Sequence, residues 1–122
     1  RIVKEAEKYG IKRNNVIIDT LTLTAGSNQK EVMVTLEALK QVKEELGVMT
    51  TLGVSNISYG LPARDNINEV FLNMAIGYGL DLPIANPLND RVHQQIKAAS
   101  LLTNRDNGGE EYIKYHSNEK KK

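Results

Sequence analysis

Residues 50–66, TTLGVSNISYGLPARDN, decide how this chain is organised. A short apolar run ends on the polar pair Ser55-Asn56, and a few residues later Pro62 sits near the first turn of a helix. Strand, polar end and helix make the repeating unit of a parallel α/β protein, where ligands are handled just past the carboxyl ends of the strands. A side chain there is held by a buried strand yet faces a cavity. Asn56 is the leading candidate for that role.

The same unit recurs on either side. Upstream, NVIIDTLTLT reads as a strand whose continuous run Val16, Ile17 and Ile18 suits burial on both faces and ends at Asp19. Downstream, LPIANPL reads as a third short strand ending at Asn86-Pro87. Helical patterns fill the intervals. Ile2, Val3, Ala6 and Tyr9 are closed by Gly10, and Asn28 with Glu31 forms a capping box ahead of a stripe of Val32, Leu36, Leu39, Val42 and Leu46, ended by Gly47. Ile67, Val70, Phe71, Met74 and Tyr78 mark a third helix, broken by Gly77 and Gly79. Asn89 or Asp90 caps a fourth that carries Val92, Ile96, Ala99 and Leu102.

Helices and strands thus alternate with no hairpin signal, which predicts a parallel sheet joined by right-handed crossovers. A doubly wound sheet and a (β/α) barrel both satisfy that order, and periodicity does not separate them. From Thr103 the pattern dissolves into TNRDNGGEEYIKYHSNEKKK, which reads as a linker, with Tyr112, Ile113 and Tyr115 docking elsewhere.

Composition sets limits on function. The chain has 122 residues, 40% hydrophobic and 25% charged, enough for one modest core. A formal net charge of +1 with interspersed signs predicts no general attraction to nucleic acid or anionic membrane, and the basic Lys120 to Lys122 reads as a solvated tail. Without cysteine there is no disulfide, thiolate nucleophile or Cys-ligated zinc. His93 and His116 lie apart, so no His-rich metal site is expected. No apolar run approaches the roughly 20 residues that span a bilayer, and RIVKEAEKYG is amphipathic rather than signal-like, so a cytoplasmic setting is expected. The start at Arg1, within a helical pattern, suggests a piece of a longer polypeptide.

Several familiar motifs fail on inspection. GVSNI has Ile57 where a nucleophile elbow needs glycine, and GYGLDL has Leu82 at the third glycine position of a dinucleotide loop and ends a helix rather than opening one. There is no Walker-type loop. What remains is a row of polar residues at three successive strand ends: Asp19, Asn56 and Asn86. In a parallel sheet these ends share one side and could converge on a ligand. Asp and Asn also terminate strands through their own backbone hydrogen bonds, so spacing alone leaves both roles open.

The residues GVSNISYGLPARDNINEVFLNMAIGYGLDLPIANPL, together with IIDTLTLTAG before them, resemble the C-terminal part of the pterin-binding domain of cobalamin-dependent methionine synthase and the methyltetrahydrofolate:corrinoid methyltransferases. The resemblance covers residues 1–102. It rests on SN after a strand, GLPAR opening a helix and the NPL turn, in the family's order. It implies a partial TIM barrel over 1–102, with three of eight strands, and a linker or tail toward a following domain over 103–122.

The resemblance also implies an activity, transfer of the N5 methyl group of methyltetrahydrofolate to a Co(I) corrinoid carried by another domain or protein. Asn56 matches the family asparagine that hydrogen-bonds N5, and an amide suits this because it both donates and accepts without adding charge. Asp19 matches the aspartate that binds the pterin ring, where a carboxylate accepts paired hydrogen bonds from an aminopyrimidinone edge. Asn86 would add a contact or simply make the turn before Pro87. Arg64 would meet the folate glutamate tail or the corrinoid partner, or be solvated.

A relative of the same fold, dihydropteroate synthase, typically carries a basic residue soon after the corresponding serine. Here Ser55-Asn56-Ile57 is followed by no cation until Arg64, which favours methyl transfer. A non-catalytic assembly module is a further reading, as is a corrinoid-binding region beginning near Tyr112. The chain has no Asp-x-His-x-x-Gly cobalt-ligand motif, so the corrinoid is expected on another module. A barrel segment exposes sheet edges and apolar faces. It is therefore expected to be inactive alone, and to dimerise or pair with the rest of the barrel.

Overall fold

The computed structural model describes residues 1–120, and in the last helix side chains as far as Ser117. Lys121 and Lys122 of the expected basic tail, and the Lys120 side chain, lie outside the described residues. The elements run α1 (Ile2–Lys8), β1 (Ile17–Asp19), α2 (Glu31–Glu45), β2 (Met49–Gly53), α3 (Arg64–Gly77), β3 (Leu82–Ile84), α4 (Asp90–Leu102) and α5 (Glu110–Lys120). Residues 1–85 form one compact unit and residues 86–122 a second.

In the first unit the three strands form one parallel sheet in the order β1-β2-β3, with Ile17 opposite Met49, Asp19 opposite Thr51, Thr51 opposite Leu82 and Gly53 opposite Ile84. That order answers what periodicity left open. A doubly wound sheet reverses its strand order at a switch point, whereas strands in chain order joined by right-handed crossovers send every helix to the same face. The chain therefore has the architecture of a (β/α) barrel segment, and its two sheet faces differ accordingly.

Side chains alternate across a strand, so Thr50 and Leu52 point to one face and Met49, Thr51 and Gly53 to the other. Thr50 and Leu52 are fully buried. The opposite face carries Ile17, Met49, Leu82 and Ile84, which are 51%, 40%, 40% and 59% exposed. The expectation that β1 is buried on both faces is therefore corrected for this chain. Val16 and Ile18 reach the helical side, where they pack with Val3, Ala6, Val42, Leu46 and Val48, while Ile17 stands on the open apolar face. Such a face is what lines the interior of a closed barrel.

The helices follow their sequence signals unevenly. Leu36 and Leu39 of α2 are fully buried as the stripe predicts, and Gly47 takes the left-handed conformation (φ +65°) that ends it. The capping box is not formed. Gln29 and Lys30 already turn helically, so Glu31 N–H bonds to the backbone carbonyl of Asn28, and the Asn28 side chain instead donates to Ser27 Oγ. In α3 the buried residues are Phe71, Leu72, Ala75 and Ile76, a face turned from the expected stripe. Ile67, Val70 and Met74 instead line an apolar groove of about 380 Å³ with Val32, Ala25, Ile57 and Phe71.

At the amino ends of the strands a polar knot ties α2 to the sheet. Asp81 Oδ2 accepts from Lys43 Nζ at 2.9 Å and from Thr50 N–H at 3.0 Å, and Thr50 Oγ1 donates to Gly79 O at 2.7 Å. Gly79 (φ +114°) is required there, because a Cβ on it would stand 2.6 Å from Lys43 Cγ.

In the second unit Asn89 caps α4 as expected, its Oδ1 accepting from Arg91 and Val92 N–H. Where the sequence pattern dissolves after Thr103, the chain is helical again over Glu110–Lys120. Asp106 accepts from the backbone N–H groups of Glu111 and Tyr112, starting α5, and the Tyr112 and Tyr115 rings flank His116. A local capping carboxylate outweighs the low apolar content of this segment.

Candidate functional site

The candidate site is built at the carboxyl ends of β1 and β2. Past Gly53 the chain makes a single 3₁₀ turn, Ser55–Ser58, rather than passing directly into a helix. The turn is anchored from below, since Ile57 and Ser58 are buried, and it presents Ser55 and Asn56 outward. Backbone bonds from Ile57 N–H to Val54 O and from Tyr59 N–H to Asn56 O, each 3.3 Å, define it.

The Asn56 side-chain amide makes no hydrogen bond among the described residues. Its position is nevertheless clear, because Nδ2 lies 3.8 Å from where a Cβ on Gly53 would stand. A Cβ there would project onto the open sheet face, so the Asn56 amide lies over that face at the end of β2. A glycine in a strand interior marks a place where something approaches the backbone closely.

Asp19 reaches the same face. It pairs in register with Thr51, two residues before Gly53, and shares the face of Thr51 and Gly53 by alternation. Strand spacing and rise put the Cα atoms of Asp19 and Gly53 roughly 8 Å apart, a span that a bicyclic heterocycle can bridge. The Asp19 carboxylate is exposed, and its Oδ1 accepts from Leu21 N–H at 2.8 Å, leaving Oδ2 open. That short turn puts Leu21 in the left-handed region (φ +64°), an uncommon conformation for a branched residue. The loop that follows is clipped to the Asn56 turn by Ala25 N–H donating to Ile57 O at 2.9 Å. The two candidate residues thus sit on segments joined to each other, which no sequence spacing reveals.

Asn86 belongs to the second unit and follows β3 by two residues. Its Oδ1 accepts from Leu88 N–H at 3.0 Å, the turn role that Pro87 suggested, while its Nδ2 keeps its donors. Arg64 opens α3, and its guanidinium turns back onto the Asn56 turn. Nε donates to Ser58 Oγ at 2.9 Å and Nη2 to Ser55 O at 3.0 Å, and the Tyr59 ring lies 6.0 Å from its Cζ. Sequence reasoning missed Gly53 and Ser58 as parts of this arrangement. Gly53 was readable as an isolated glycine at a strand end, whereas the burial of Ser58 had no sequence signal.

Among the described residues no group of His, Cys, Asp and Glu is arranged to hold a metal ion, and no helix is long and apolar enough to cross a membrane. Chemically, the site offers one carboxylate, one free amide and an open apolar floor. These suit a flat, hydrogen-bonding heterocycle better than a phosphate or a metal.

Comparison with known proteins agrees with this fold. Residues 1–86 match the family described as pterin binding enzyme, whose members are TIM barrels. The chain is 35% identical over 116 residues to the methionine synthase of Mycobacterium tuberculosis (strain ATCC 25618 / H37Rv), covering 85% of this chain and 10% of that protein. It is 36% identical over 103 residues to the methionine synthase of Mycobacterium leprae (strain TN), covering 75% of this chain and 8% of the relative. With the methylcorrinoid:tetrahydrofolate methyltransferase of Eubacterium limosum it shares 26% identity over 116 residues, covering 93% and 42%. The chain therefore spans a tenth or less of the two synthases and under half of the third relative.

Proposed function

The chain belongs to the pterin-binding enzyme family, and from that premise we propose that it supplies part of a folate site for methyl transfer between N5 of methyltetrahydrofolate and a Co(I) corrinoid. The observation that carries the proposal is the unpartnered Asn56 amide, lying over the open sheet face beside Asp19. Residues 1–102 are the pterin-binding part and residues 103–122 lead toward a neighbouring module.

The chemical difficulty lies at the leaving group. A tertiary amine releases methyl poorly unless N5 is protonated, so the C–N bonding pair must collapse onto a nitrogen already carrying a proton. Asn56 Oδ1 accepts a hydrogen bond from N5–H while the protonated nitrogen carries positive charge, and Nδ2 can donate to the neutral amine, so one side chain serves both ends of the step. Asp19 holds the aminopyrimidinone edge through Oδ2, fixing the ring in place for transfer. The corrinoid, when its module docks, supplies the nucleophile. The sequence has no Asp-x-His-x-x-Gly cobalt-ligand motif, which favours a carrier on another module.

The name of the Eubacterium limosum relative puts the methyl group on the corrinoid at the start, the reverse of the direction proposed here. A residue that stabilises N5 serves both directions, because forward and reverse share one transition state. The direction is set by the partner and not by this segment.

The test is methyl transfer by the polypeptide as naturally expressed, with methyltetrahydrofolate and a reduced corrinoid protein, followed by the corrinoid absorbance. Asn56→Ala should lower kcat by about 10²-fold, the usual cost of removing one group that stabilises transition-state charge. Equal rates for Asn56→Ala and the unaltered protein would sink the assignment.

A further inference from the structure

We infer that Arg64 acts as a positioning residue for Asn56, forming with Ser58 a polar clamp that fixes the peptide plane from which Asn56 projects. The inference rests on the methyl-transfer reading and adds to it the residues that hold the N5 partner in place.

The argument begins with what Asn56 lacks. Its side chain makes no hydrogen bond among the described residues, so its position is inherited from the backbone of a single 3₁₀ turn whose own bonds are 3.3 Å long. Short 3₁₀ segments have poor hydrogen-bond geometry and seldom hold a shape unaided. The added rigidity comes from one atom. The Ser55 carbonyl oxygen accepts from Ser58 Oγ at 3.1 Å and from Arg64 Nη2 at 3.0 Å. That carbonyl shares a planar peptide unit with the Asn56 nitrogen, so two donors on the oxygen fix the plane on which Asn56 hangs.

Ser58 closes the clamp. It is fully buried, donates to Ser55 O and accepts from Arg64 Nε at 2.9 Å, so its hydroxyl is satisfied on both sides. The Tyr59 ring near the guanidinium restricts it further. Ala63 shows that this arrangement is imposed. It holds a left-handed backbone (φ +50°, ψ +50°), unfavourable for alanine, immediately before Arg64. Strain of that kind persists where surrounding contacts over-determine it, and here it lies at the junction that aims Arg64 back at the turn. Only a planar fork reaches two acceptors at once in this way, a geometry that a lysine ammonium lacks.

The experiment is a double-mutant cycle in the naturally expressed polypeptide, with turnover and methyltetrahydrofolate affinity measured separately. Arg64→Ala should lower kcat by about 10²-fold, the scale of a small misplacement of a catalytic group, while the dissociation constant changes less than about threefold. On the Asn56→Ala background Arg64→Ala should remove little more, since both act through one group. Arg64→Lys should not rescue, and Ser58→Ala should move turnover in the same direction. Parallel loss of affinity and turnover, additive losses in the double variant, or full rescue by lysine would each overturn the inference.

Amide hydrogen exchange supplies a readout independent of catalysis. Exchange across residues 55–59 should accelerate at least tenfold in Arg64→Ala, and unchanged exchange would also overturn the clamp. Absence of methyl transfer in the unaltered protein would instead remove the functional reading, leaving the exchange result to judge the clamp alone.

Discussion

The Asn56 amide nitrogen stands 3.8 Å from the position that a Cβ on Gly53 would occupy, so a strand residue with no side chain lies beneath the candidate N5 partner. The gap is an ordinary van der Waals distance and the backbone at Gly53 is extended, so a methyl group fits in the folded protein without strain. What it would occupy is the floor of the site.

Gly53→Ala should therefore separate binding from stability. Alanine in a strand costs less backbone entropy on folding than glycine, so the melting temperature should hold or rise slightly. Methyltetrahydrofolate affinity should fall about tenfold as the ring is lifted from the strand, in line with the usual worth of close backbone approach. Calorimetric titration beside a thermal melt checks both, and undiminished affinity would place the ligand elsewhere.

Asp19 permits a similar separation. Asparagine keeps an Oδ1 to accept from Leu21 N–H, so the turn that ends β1 should survive in Asp19→Asn. The second oxygen becomes a donor facing the donors of an aminopyrimidinone. Loss of a charge-assisted pair predicts weaker folate binding by about 10- to 100-fold with an unchanged unfolding midpoint. A shifted midpoint with intact binding would make Asp19 a structural residue only.

The polar knot at the other end of the sheet should govern stability and leave chemistry alone. Asp81 Oδ2 bonds both Lys43 Nζ and Thr50 N–H, and the Asp81 and Lys43 side chains are largely shielded from water. Asp81→Ala takes the carboxylate from a part-shielded ammonium, leaving it only the Val48 carbonyl, and leaves a strand N–H unpaired, so unfolding free energy should fall by about 1–3 kcal/mol in denaturant titrations. Gly79→Ala should cost about 1–3 kcal/mol through its φ of +114° and the clash with Lys43 Cγ. A loss of folate affinity in either variant, measured under folding conditions, would contradict this division between the two ends of the strands.

Much of this was legible in the residues themselves. Alternating strand and helix patterns fixed a parallel sheet, and Gly47 and Asn89 mark helix ends by local rules that need nothing beyond the neighbouring residues. Other features were misread for definable reasons. Asn28 and Glu31 have capping-box spacing, but the N-cap position falls at Lys30, which already has helical angles, and a cap depends on backbone angles that residue types do not specify. The apolar residues of α3 indicate a helix without indicating which of two adjoining faces is buried. The acceptors of Arg64 lie six and nine residues away across a turn, beyond any periodicity.

By itself the sequence determined the α/β alternation, the polar residues at the strand ends and, through its resemblance, the pterin-binding family. Tertiary structure showed the strand order that the resemblance implied and periodicity left open, and it alone decided the open face beneath Asn56 and the clamp behind it. The physical reason is that strand order, burial and hydrogen-bond partners are properties of pairs of distant residues. The Asn56 turn is held by a guanidinium from the next helix and by a bond from the loop after Asp19, and neither is encoded in the turn's own residues.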